Sequence, residues 1–456
     1  MELLEDTGVF PEGQCLIGFS GGADSTMLIQ LAAVLRDKGR LDPQAVHVNH
    51  GIRGEESDQD EVYCRQVCNE LRIPIHTIRA DLEGKRDEDS CRKERFRCFR
   101  KVMEQTGITN LVIGHNRDDL AETFLMRLIR GAGLEGLACM SGLDEHENFL
   151  IYRPLLRTGR EEIRNVLRSA GIHWREDSSN GSNDYLRNRI RNSLIPVMNE
   201  MAEGAVNRIA QTAEILNLEN QTLQEYADFY LAQHSSGSWL DFRAVQGIPQ
   251  ALQRRVLRNW WKMNRPETEE HSLNARQTES LVKLLNSERG KVNLPGGLIA
   301  VKGRHGMYLT GMPKRQIQEI TFRPRIQEQI CFGDFRLTIL PSEGNPGNGT
   351  YTQEVPEKFF ADCVIRTRKA GDRIRPFGMK GIRKLQDYLT DRRIDEPIRD
   401  EIPLICRGNE VLMVAGVGTG AVPIWNASEK NIRLKWQGRM PWDTDERSEK
   451  DNGSKE

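Results

Sequence analysis

Paired cysteine motifs are missing from this chain. It contains nine cysteines but no C-x-x-C pair and no histidine–cysteine spacing typical of a zinc finger, which argues against a structural zinc site. Cys64 and Cys68 are four residues apart on a predicted helix, so a metal or redox site there is one alternative. Reduced structural thiols are the favoured interpretation.

Long apolar runs are also missing, since none approaches the roughly 18 residues needed to cross a bilayer. The segment Met1–Asp6 has neither the basic nor the apolar part of a signal peptide. We therefore expect a cytoplasmic protein with no membrane partner. A chain of 456 residues is too long for one hydrophobic core and predicts about two to four domains.

A strong excess of one charge is absent as well: the net charge of −1 argues against an indiscriminate nucleic-acid binder. Two local clusters are nevertheless basic. Arg92–Lys101 has six basic residues and one acid, and Arg366–Lys384 has eight basic residues and only Asp372 as an acid. Either cluster alone is typical of a solvated surface. Two of them in separate regions indicate an RNA partner.

The first half of the chain alternates between strand-like and helix-like patterns. This rhythm predicts an α/β domain with a doubly wound, mostly parallel sheet, whose ligands bind at the carboxyl ends of the strands. The strand-like runs are Leu16–Phe19, Ala45–Asn49, Ile75–Ile78 and Leu111–Gly114.

Changes in composition then divide the chain. We predict a catalytic domain over 1–218, a helical middle domain over 219–315 and a smaller, mixed α+β C-terminal domain over 316–436. A disordered tail is expected over 437–456. Helix is expected from about 183 to 218 with a break near Pro196, and a hairpin at about 297–310 ends the middle domain.

A glycine-rich turn follows the first predicted strand, and it contains no lysine. Its glycines let backbone N–H groups approach a ligand, and the following helix points its positive end at the same place. An ordinary capped strand–turn–helix is the alternative. The six residues favour a phosphate or pyrophosphate site, but not the Walker type, which needs a lysine. They are Ser20, Gly21, Gly22, Ala23, Asp24 and Ser25.

The run Gly114–Thr123 follows the fourth predicted strand. Asp119 and Glu122 share one helix face there, which suits a primary ammonium or a magnesium ion. His115 could shuttle a proton or donate a hydrogen bond to an oxyanion. A helix start enriched in acids is the alternative, and it explains Asp118 better than the other three.

A second helix carries Arg187 and Arg191, four residues apart. Two guanidinium groups on one face could grip a carboxylate or phosphate bidentately. A solvated basic face is an equally good interpretation of this stretch alone.

Taken together, these motifs resemble a known family. The glycine-rich turn is similar to the PP-loop of ATP pyrophosphatases, an adenine nucleotide alpha-hydrolase-like fold. The whole series resembles the bacterial tRNA(Ile)-lysidine synthases, strongly over 14 to about 220 and moderately over 359–420. The motifs of this chain that carry the resemblance are S-G-G-A-D-S, H-V-N-H-G-I-R, G-H-N-R-D-D-L-A-E-T, R-G-A-G-L-E-G-L, R-P-L-L, Y-L-R-N-R-I-R and K-A-G-D-R-I-R-P.

This resemblance implies a ligase that attaches lysine to the wobble cytidine of the isoleucine tRNA with a CAU anticodon. ATP first adenylates the cytidine and releases pyrophosphate; the lysine amine then displaces AMP and forms lysidine, which changes codon reading from AUG to AUA. The implied cofactors are ATP and Mg²⁺, and the implied partners are that tRNA and free lysine. A homodimer is left open.

The resemblance also implies roles for residues. Asp24, His115 and Asp119 would be catalytic, and Asp24 and Asp118 would bind the metal. Asp119 and Glu122 would hold the lysine ammonium, with Arg187 or Arg191 on its carboxylate. The turn residues Ser20 to Ser25 would bind the nucleotide together with His47, Asn49 and Gly114. The RNA contacts would come from Arg92, Arg95, Arg373, Arg375 and Lys384.

Three other functions are weighed against this one. A PP-loop cytidine thiolase would need paired cysteines near the site. A non-catalytic RNA-binding protein with a structural ATP would not need His115 or Glu122. A small-molecule synthetase of the GMP-synthase type would need no basic C-terminal domain.

Overall fold

The protein is described by a computed structural model that covers most of the chain and forms two compact units, Met1–Thr222 and Leu223–Glu456. The described residues are 9–52, 54–81, 88–146, 148–176, 186–266, 272–311, 319–333, 335–344, 351–360, 362–422 and 430–437.

A six-stranded sheet forms the centre of the first unit, in the order β3-β2-β1-β4-β6-β5. Neighbouring strands are parallel from β3 to β6, and only β5 is antiparallel to its neighbour. The prediction of a mostly parallel sheet is confirmed. Its strands are β1 (Gly13–Gly18), β2 (Leu41–Asn49), β3 (Ile75–Arg79), β4 (Asn110–Val112), β5 (Leu143–His146) and β6 (Phe149–Tyr152).

Helices cover both faces of this sheet. Cys15 and Ile17 of β1 belong to one buried core, whereas Leu16 between them belongs to another. Alternate side chains of a strand point to opposite faces, so the sheet is doubly wound. The helices are α1 (Ala23–Asp37), α2 (Glu55–Leu71), α3 (Glu88–Thr106), α4 (Arg117–Ile129), α5 (Leu134–Leu137) and α6 (Arg160–Ser169).

The helical region after α6 is more broken than predicted. A π turn, Ile190–Leu194, distorts the chain just before Pro196, where a break was expected. A second break, which the sequence analysis missed, falls after Met201, where Ala202 is extended and Gly204 has a φ of +73°. The helices are α7 (Leu186–Arg189), α8 (Ile195–Met201) and α9 (Ala205–His234).

The sequence predicted a helical middle domain, but the first part of the second unit also contains a sheet. Trp260 and Trp261 are buried between its helices and a five-stranded antiparallel sheet, β7-β8-β11-β10-β9. The predicted hairpin is confirmed as β10 and β11. The elements are β7 (Ser235–Ser236), β8 (Trp239–Leu240), α10 (Phe242–Gln246), α11 (Gln250–Asn264), α12 (Ala275–Asn286), β9 (Gly290–Asn293), β10 (Ile299–Lys302) and β11 (Met307–Thr310).

The C-terminal region contains a seven-stranded sheet and a four-stranded sheet that share one core. A mixed α+β region is therefore confirmed. Its elements are β12 (Ile320–Phe322), β13 (Gln329–Phe332), β14 (Phe335–Pro341), β15 (Thr352–Pro356), β16 (Cys363–Arg366), β17 (Arg373–Ile374), β18 (Arg383–Lys384), α13 (Leu385–Asp391), β19 (Leu404–Arg407), β20 (Glu410–Val414), β21 (Gly418–Thr419) and β22 (Asn431–Gln437).

A buried carboxylate, Asp395, joins the two parts of the second unit. It accepts hydrogen bonds from the backbone of Arg304 and His305, both at 2.8 Å, and from the Tyr308 hydroxyl at 2.7 Å. The expected boundary between residues 218 and 219 falls inside α9. The division into three domains stays a prediction, and the expected tail beyond Gln437 lies outside the described residues.

No helix in the described part of the chain is both long and apolar enough to cross a membrane.

Candidate active site

The glycine-rich turn connects β1 to α1 at the carboxyl edge of the sheet. Its two serines close the turn: the Ser25 hydroxyl accepts from the Ser20 backbone at 3.2 Å, lies 3.1 Å from the Ser20 hydroxyl and donates to the Gly22 carbonyl at 3.0 Å. The serines therefore hold the turn at the N-terminus of α1, a position that suits an anion.

Two glycines allow this close packing. Gly21 has a φ of +87°, and a β-carbon on it would lie 3.2 Å from the Tyr63 ring. A β-carbon on Gly114 would lie 3.2 Å from both the carbonyl carbon of Asp24 and the backbone nitrogen of Ser25. The exit of β4 therefore packs directly against the phosphate turn, as a parallel sheet predicts.

Asp24 presents an unusual carboxylate at this turn. Its Oδ1 atom is buried and has no hydrogen-bond partner among the described residues. Burial, helped by the negative charge of Asp119, raises the pKa of Asp24 to about 6, and the Asn116 amide offsets part of that rise. A carboxylate oxygen of this kind is the hard ligand that Mg²⁺ prefers, so Asp24 could hold a magnesium ion.

His47 and Asn49 lie on β2 and are both buried. His47 Nδ1 is 2.9 Å from the Phe19 carbonyl, which makes it the donor and leaves Nε2 as a buried acceptor with no partner among the described residues. The Asn49 amide instead donates to Asp58 at 2.9 Å and Glu61 at 3.2 Å. His47 Nε2 could therefore contact a ligand, whereas the Asn49 amide is engaged in holding the N-terminal part of α2.

His115 has a defined hydrogen-bonding state. Its Nδ1 accepts a hydrogen bond from Arg153 Nε at 3.1 Å, so the ring proton lies on Nε2. Burial, and then the positive charge of Arg153, holds the pKa of His115 well below its usual value. Of the two predicted roles, a neutral ring with its proton on Nε2 suits the hydrogen-bond donor to an oxyanion better than the proton shuttle.

The carboxylates of α4 lie in a cluster of three arginines. Glu122 is fully buried and accepts from Arg160 at 3.1 Å, from Arg187 at 2.9 Å and from Arg191 at 2.7 Å. Asp119 accepts from Arg160 at 3.2 Å and from Arg187 at 3.1 Å. The structure thus brings together the four residues predicted to bind lysine, which are Asp119, Glu122, Arg187 and Arg191.

Arg160, at the first position of α6, is the member that sequence reasoning missed. Its backbone N–H also donates to Asp118 Oδ2 at 2.8 Å. Burial alone would raise the pKa of Glu122, but the three arginines outweigh it and lower the pKa to about 2. The cluster carries three positive and two negative charges, so an added carboxylate is electrostatically favoured there.

Asp118 and Asp24 do not form a ready-made metal cage. No group of three or more His, Cys, Asp or Glu side chains within the described ranges could hold a metal ion. All nine cysteines lie within the described ranges and none of them forms a disulfide bond there, and Cys64 and Cys68 are fully buried in the core. The alternative of a metal or redox site at these two thiols therefore has no structural support.

The first basic cluster lies on α3. Arg97 is engaged by Glu94 at 2.7 Å and lowers the pKa of Glu94 to about 2. Arg95 and Arg92 both contribute to the lowered pKa of His115. The two arginines predicted to bind RNA therefore act electrostatically on the site.

The second basic cluster divides into a buried and an exposed part. Arg366 is buried and binds Asp372 at 2.8 Å, so it does not belong to a binding surface. Arg373 and Lys384 are exposed and directly opposite each other on β17 and β18, and the exposed Arg375 lies two residues further on the same face. The three residues predicted to bind RNA therefore form one surface.

The turn is also contacted by a segment that no motif indicated. The Arg175 backbone donates to the Gly21 carbonyl at 2.9 Å, and its side chain binds Asp60 at 2.8 Å. Two motif residues lie outside the described residues: Tyr185, the first residue of Y-L-R-N-R-I-R, and Arg53, the last residue of H-V-N-H-G-I-R.

The sheet, the lysine-free turn and the orphaned carboxylate define a class of protein. A family profile described as "PP-loop domain" matches residues 1–198, so this is an ATP-binding protein of the PP-loop class. A profile described as "TilS substrate C-terminal domain" matches residues 363–436.

Relatives then identify the family within the class. The chain is 30% identical over 441 residues to the tRNA(Ile)-lysidine synthase of Geobacter sulfurreducens, and this alignment covers 91% of each of the two chains. It is 29% identical to the tRNA(Ile)-lysidine synthase of Persephonella marina, in an alignment that covers 95% of this chain and 97% of the relative. The chain therefore belongs to the tRNA(Ile)-lysidine synthase family.

Proposed function

We propose that this protein forms lysidine by attaching lysine to the wobble cytidine of the isoleucine tRNA with a CAU anticodon. The observation that carries the proposal is the packing of Gly114 against the phosphate turn. This packing supports the proposal because it brings the glycine-rich turn close to the start of α4, which carries the carboxylates of the arginine cluster.

In the first step, the carbonyl oxygen of the cytidine attacks the α-phosphorus of ATP, and pyrophosphate leaves. The backbone N–H groups of the turn and the N-terminus of α1 stabilise the phosphates. His47 Nε2, a buried acceptor, suits the amino group of adenine. The His115 Nε2–H donates to charge that develops on oxygen.

Mg²⁺ fits this step because Asp24 offers an unpaired carboxylate oxygen, and Asp118 retains one oxygen beyond its bond to Arg160. When bound, the ion neutralises negative charge on the departing pyrophosphate.

In the second step, the side-chain amine of lysine attacks the activated carbon, a carbon–nitrogen bond forms, and AMP leaves with the oxygen. Asp119 and Glu122 hold the α-ammonium of lysine, and Arg187 or Arg191 holds its α-carboxylate. These charged groups bind one another in the structure. Lysine therefore enters by exchanging these ion pairs for pairs with its own ammonium and carboxylate groups.

The tRNA contacts are assigned to Arg92 and Arg95 beside the active site and to Arg373, Arg375 and Lys384 in the C-terminal region. Phosphate contacts of this kind position the tRNA without reading its sequence. A homodimer remains an open part of the proposal.

The two steps can be tested separately. With ATP and the substrate tRNA but no lysine, the protein should release pyrophosphate and retain AMP on the tRNA; added lysine should release the AMP. Pyrophosphate release that is independent of tRNA, or AMP release without lysine, would contradict the proposal.

A further inference from the structure

An exposed apolar loop connects β17 to β18. We call Pro376–Ile382 the tip loop. Three of its side chains are largely in solvent: Phe377 is 53% exposed, Met379 56% and Ile382 56%. Exposed large apolar side chains that are grouped in one loop are typical of a binding surface.

The loop is held in place by its backbone. The Phe377 N–H donates to the Thr419 carbonyl at 3.3 Å, and Pro376 forms a bridge with Gly420. A turn follows, in which the Met379 N–H donates to the Pro376 carbonyl at 3.0 Å. The backbone that carries Phe377 is therefore held in place, so binding through this residue does not have to order the loop, which lowers its entropy cost.

Positive charge surrounds the apolar tip. Arg373 and Lys384 face each other across the strand pair, although like charges directly opposite destabilise a sheet. Within the described ranges, no carboxylate forms an ion pair with Arg373, Arg375 or Lys384. The surface thus pairs an exposed aromatic ring on a held backbone with cations that have no ion-pair partner among the described residues, the two features that bind a nucleic acid strand.

We propose that Phe377 stacks on an uncovered nucleobase of the bound tRNA while Arg373, Arg375 and Lys384 contact the adjacent phosphates. Bases inside an A-form helix are covered by their neighbours, and its major groove is too narrow for side chains. The stacked base therefore lies where a helix ends or is interrupted. The test addresses the 3′ end first, with its terminal base pair and the unpaired nucleotides beyond it. This inference rests on the proposed function, since it takes tRNA as the ligand.

Stacking and phosphate contact differ in their dependence on salt, and the test uses that difference. Phe377→Ala in the full chain should weaken tRNA binding by about 5- to 150-fold and leave the dependence of log Kd on log salt unchanged. Phe377→Trp should bind like the parent. Arg375→Ala should instead reduce the salt slope by about 0.7 to 0.9.

Two tRNA ligands identify the stacked base. If Phe377 stacks on an unpaired nucleotide, removal of the single-stranded 3′ end should abolish the difference between Phe377→Ala and the parent. If it stacks on the terminal base pair, the difference should persist. A 2-aminopurine at the contacted position should be quenched by the parent and not by Phe377→Ala.

Parent-like tRNA affinity of Phe377→Ala would overturn the inference. In that case, loss of binding to anionic vesicles would assign the tip loop to a membrane surface, and a change in sedimentation would assign it to a second copy of the chain. The affinity measurements with Phe377→Ala report tRNA binding and do not depend on lysine transfer. A parent protein that binds tRNA through Phe377 but transfers no lysine would contradict the proposed function and leave this inference standing.

Discussion

The smallest side chain in the site has the clearest geometric role. Gly114 touches the backbone of Asp24 and Ser25, and a methyl group there would meet both at 3.2 Å. Neither backbone atom can move without shifting the phosphate turn, since the same residues start α1.

Gly114→Ala should therefore lower tRNA-dependent pyrophosphate release by about tenfold or more while the fold survives, because misplaced groups lose catalytic alignment. Gly142→Ala is the matched control: its β-carbon would make only an ordinary contact, at 3.7 Å from Val9. Equal rates for the two variants would show that the turn is not where the phosphates bind.

His115 separates two chemical roles. As a neutral donor, it should be partly replaceable by glutamine, which keeps an N–H. We expect His115→Ala to lower adenylation by about 10²–10³-fold and His115→Gln to recover part of that loss. The pH profile between about pH 6 and 8 should keep its shape in His115→Gln, since the pKa of His115 lies well below its usual value. Loss of an acid limb in this variant would instead indicate a proton shuttle.

Motifs in the sequence located most of these residues, because the chemistry of PP-loops requires a compact run of six and His115 follows a strand directly. Arg153 was located as the first residue of the R-P-L-L motif but was given no role, and Arg160 was not singled out at all. Each acts on a residue about 40 positions away along the chain, so its partner depends on the fold. The contacts of the Asn49 amide with Asp58 and Glu61 of α2 are likewise visible only in the structure.

Three helices converge on one buried carboxylate. Glu122 of α4 meets Arg160 of α6, Arg187 of α7 and Arg191 of the π turn that follows. A π turn widens the helix locally, which is a frequent feature of functional sites.

Glu122→Ala should separate the two half-reactions. The variant should still adenylate the tRNA but need roughly tenfold more lysine or higher to complete the reaction, because a charge-assisted hydrogen bond at a buried site is worth about 1.5–3 kcal/mol. Lysine dependence of AMP release measures this effect. Equal loss of both steps would favour Glu122 as a magnesium ligand.

The same carboxylate should make stability depend on pH. A pKa of about 2, below the ordinary value of 4.5, means that the ionised form stabilises the fold above about pH 4.5 and that this contribution disappears as the pH falls towards 2. Glu122→Gln should therefore be destabilised on the order of 3 kcal/mol at pH 7, and the deficit should shrink with acid. Thermal unfolding from pH 7 to 3 tests this, with the exposed Glu145→Gln as control. A deficit that does not change with pH would contradict it.

The apolar pattern of the sequence predicted strands and hairpins better than it predicted which charged residues lie on the surface. The parallel strands and the β10–β11 hairpin follow from local apolar patterns. The five-stranded sheet of the second unit was missed because β7 and β8 have two residues each, too few for a periodic signal. Arg366 was grouped with the basic surface because burial by Asp372 depends on the fold and not on composition.

On the scale of the whole molecule, each of the two units has its own core. In the second unit, Trp239 and Tyr308 pack in the same core as the C-terminal strands. Removal of the chain after about residue 316 would therefore expose part of that core. A point substitution keeps the chain whole and is thus a better test of whether the two units fold independently.

Asp395→Ala should destabilise the second unit and spare the first. It leaves two backbone N–H groups and the Tyr308 hydroxyl without an acceptor, at a cost of about 1–3 kcal/mol for each buried group. Calorimetry should show an earlier transition, whereas ATP binding by residues 1–222 should persist. Asp391→Ala, an exposed surface change, serves as the control. Loss of ATP binding with the first transition would show that the units do not fold independently.

Transfer of labelled lysine to tRNA tests the central claim most directly. Incubation with ATP, radiolabelled lysine and the isoleucine tRNA should give acid-insoluble label, with one AMP and one pyrophosphate released for each lysine attached. A tRNA with uridine in place of the wobble cytidine should acquire no label, and Asp24→Asn should transfer little. Absence of label with the parent protein, or equal labelling of the uridine tRNA, would contradict the account.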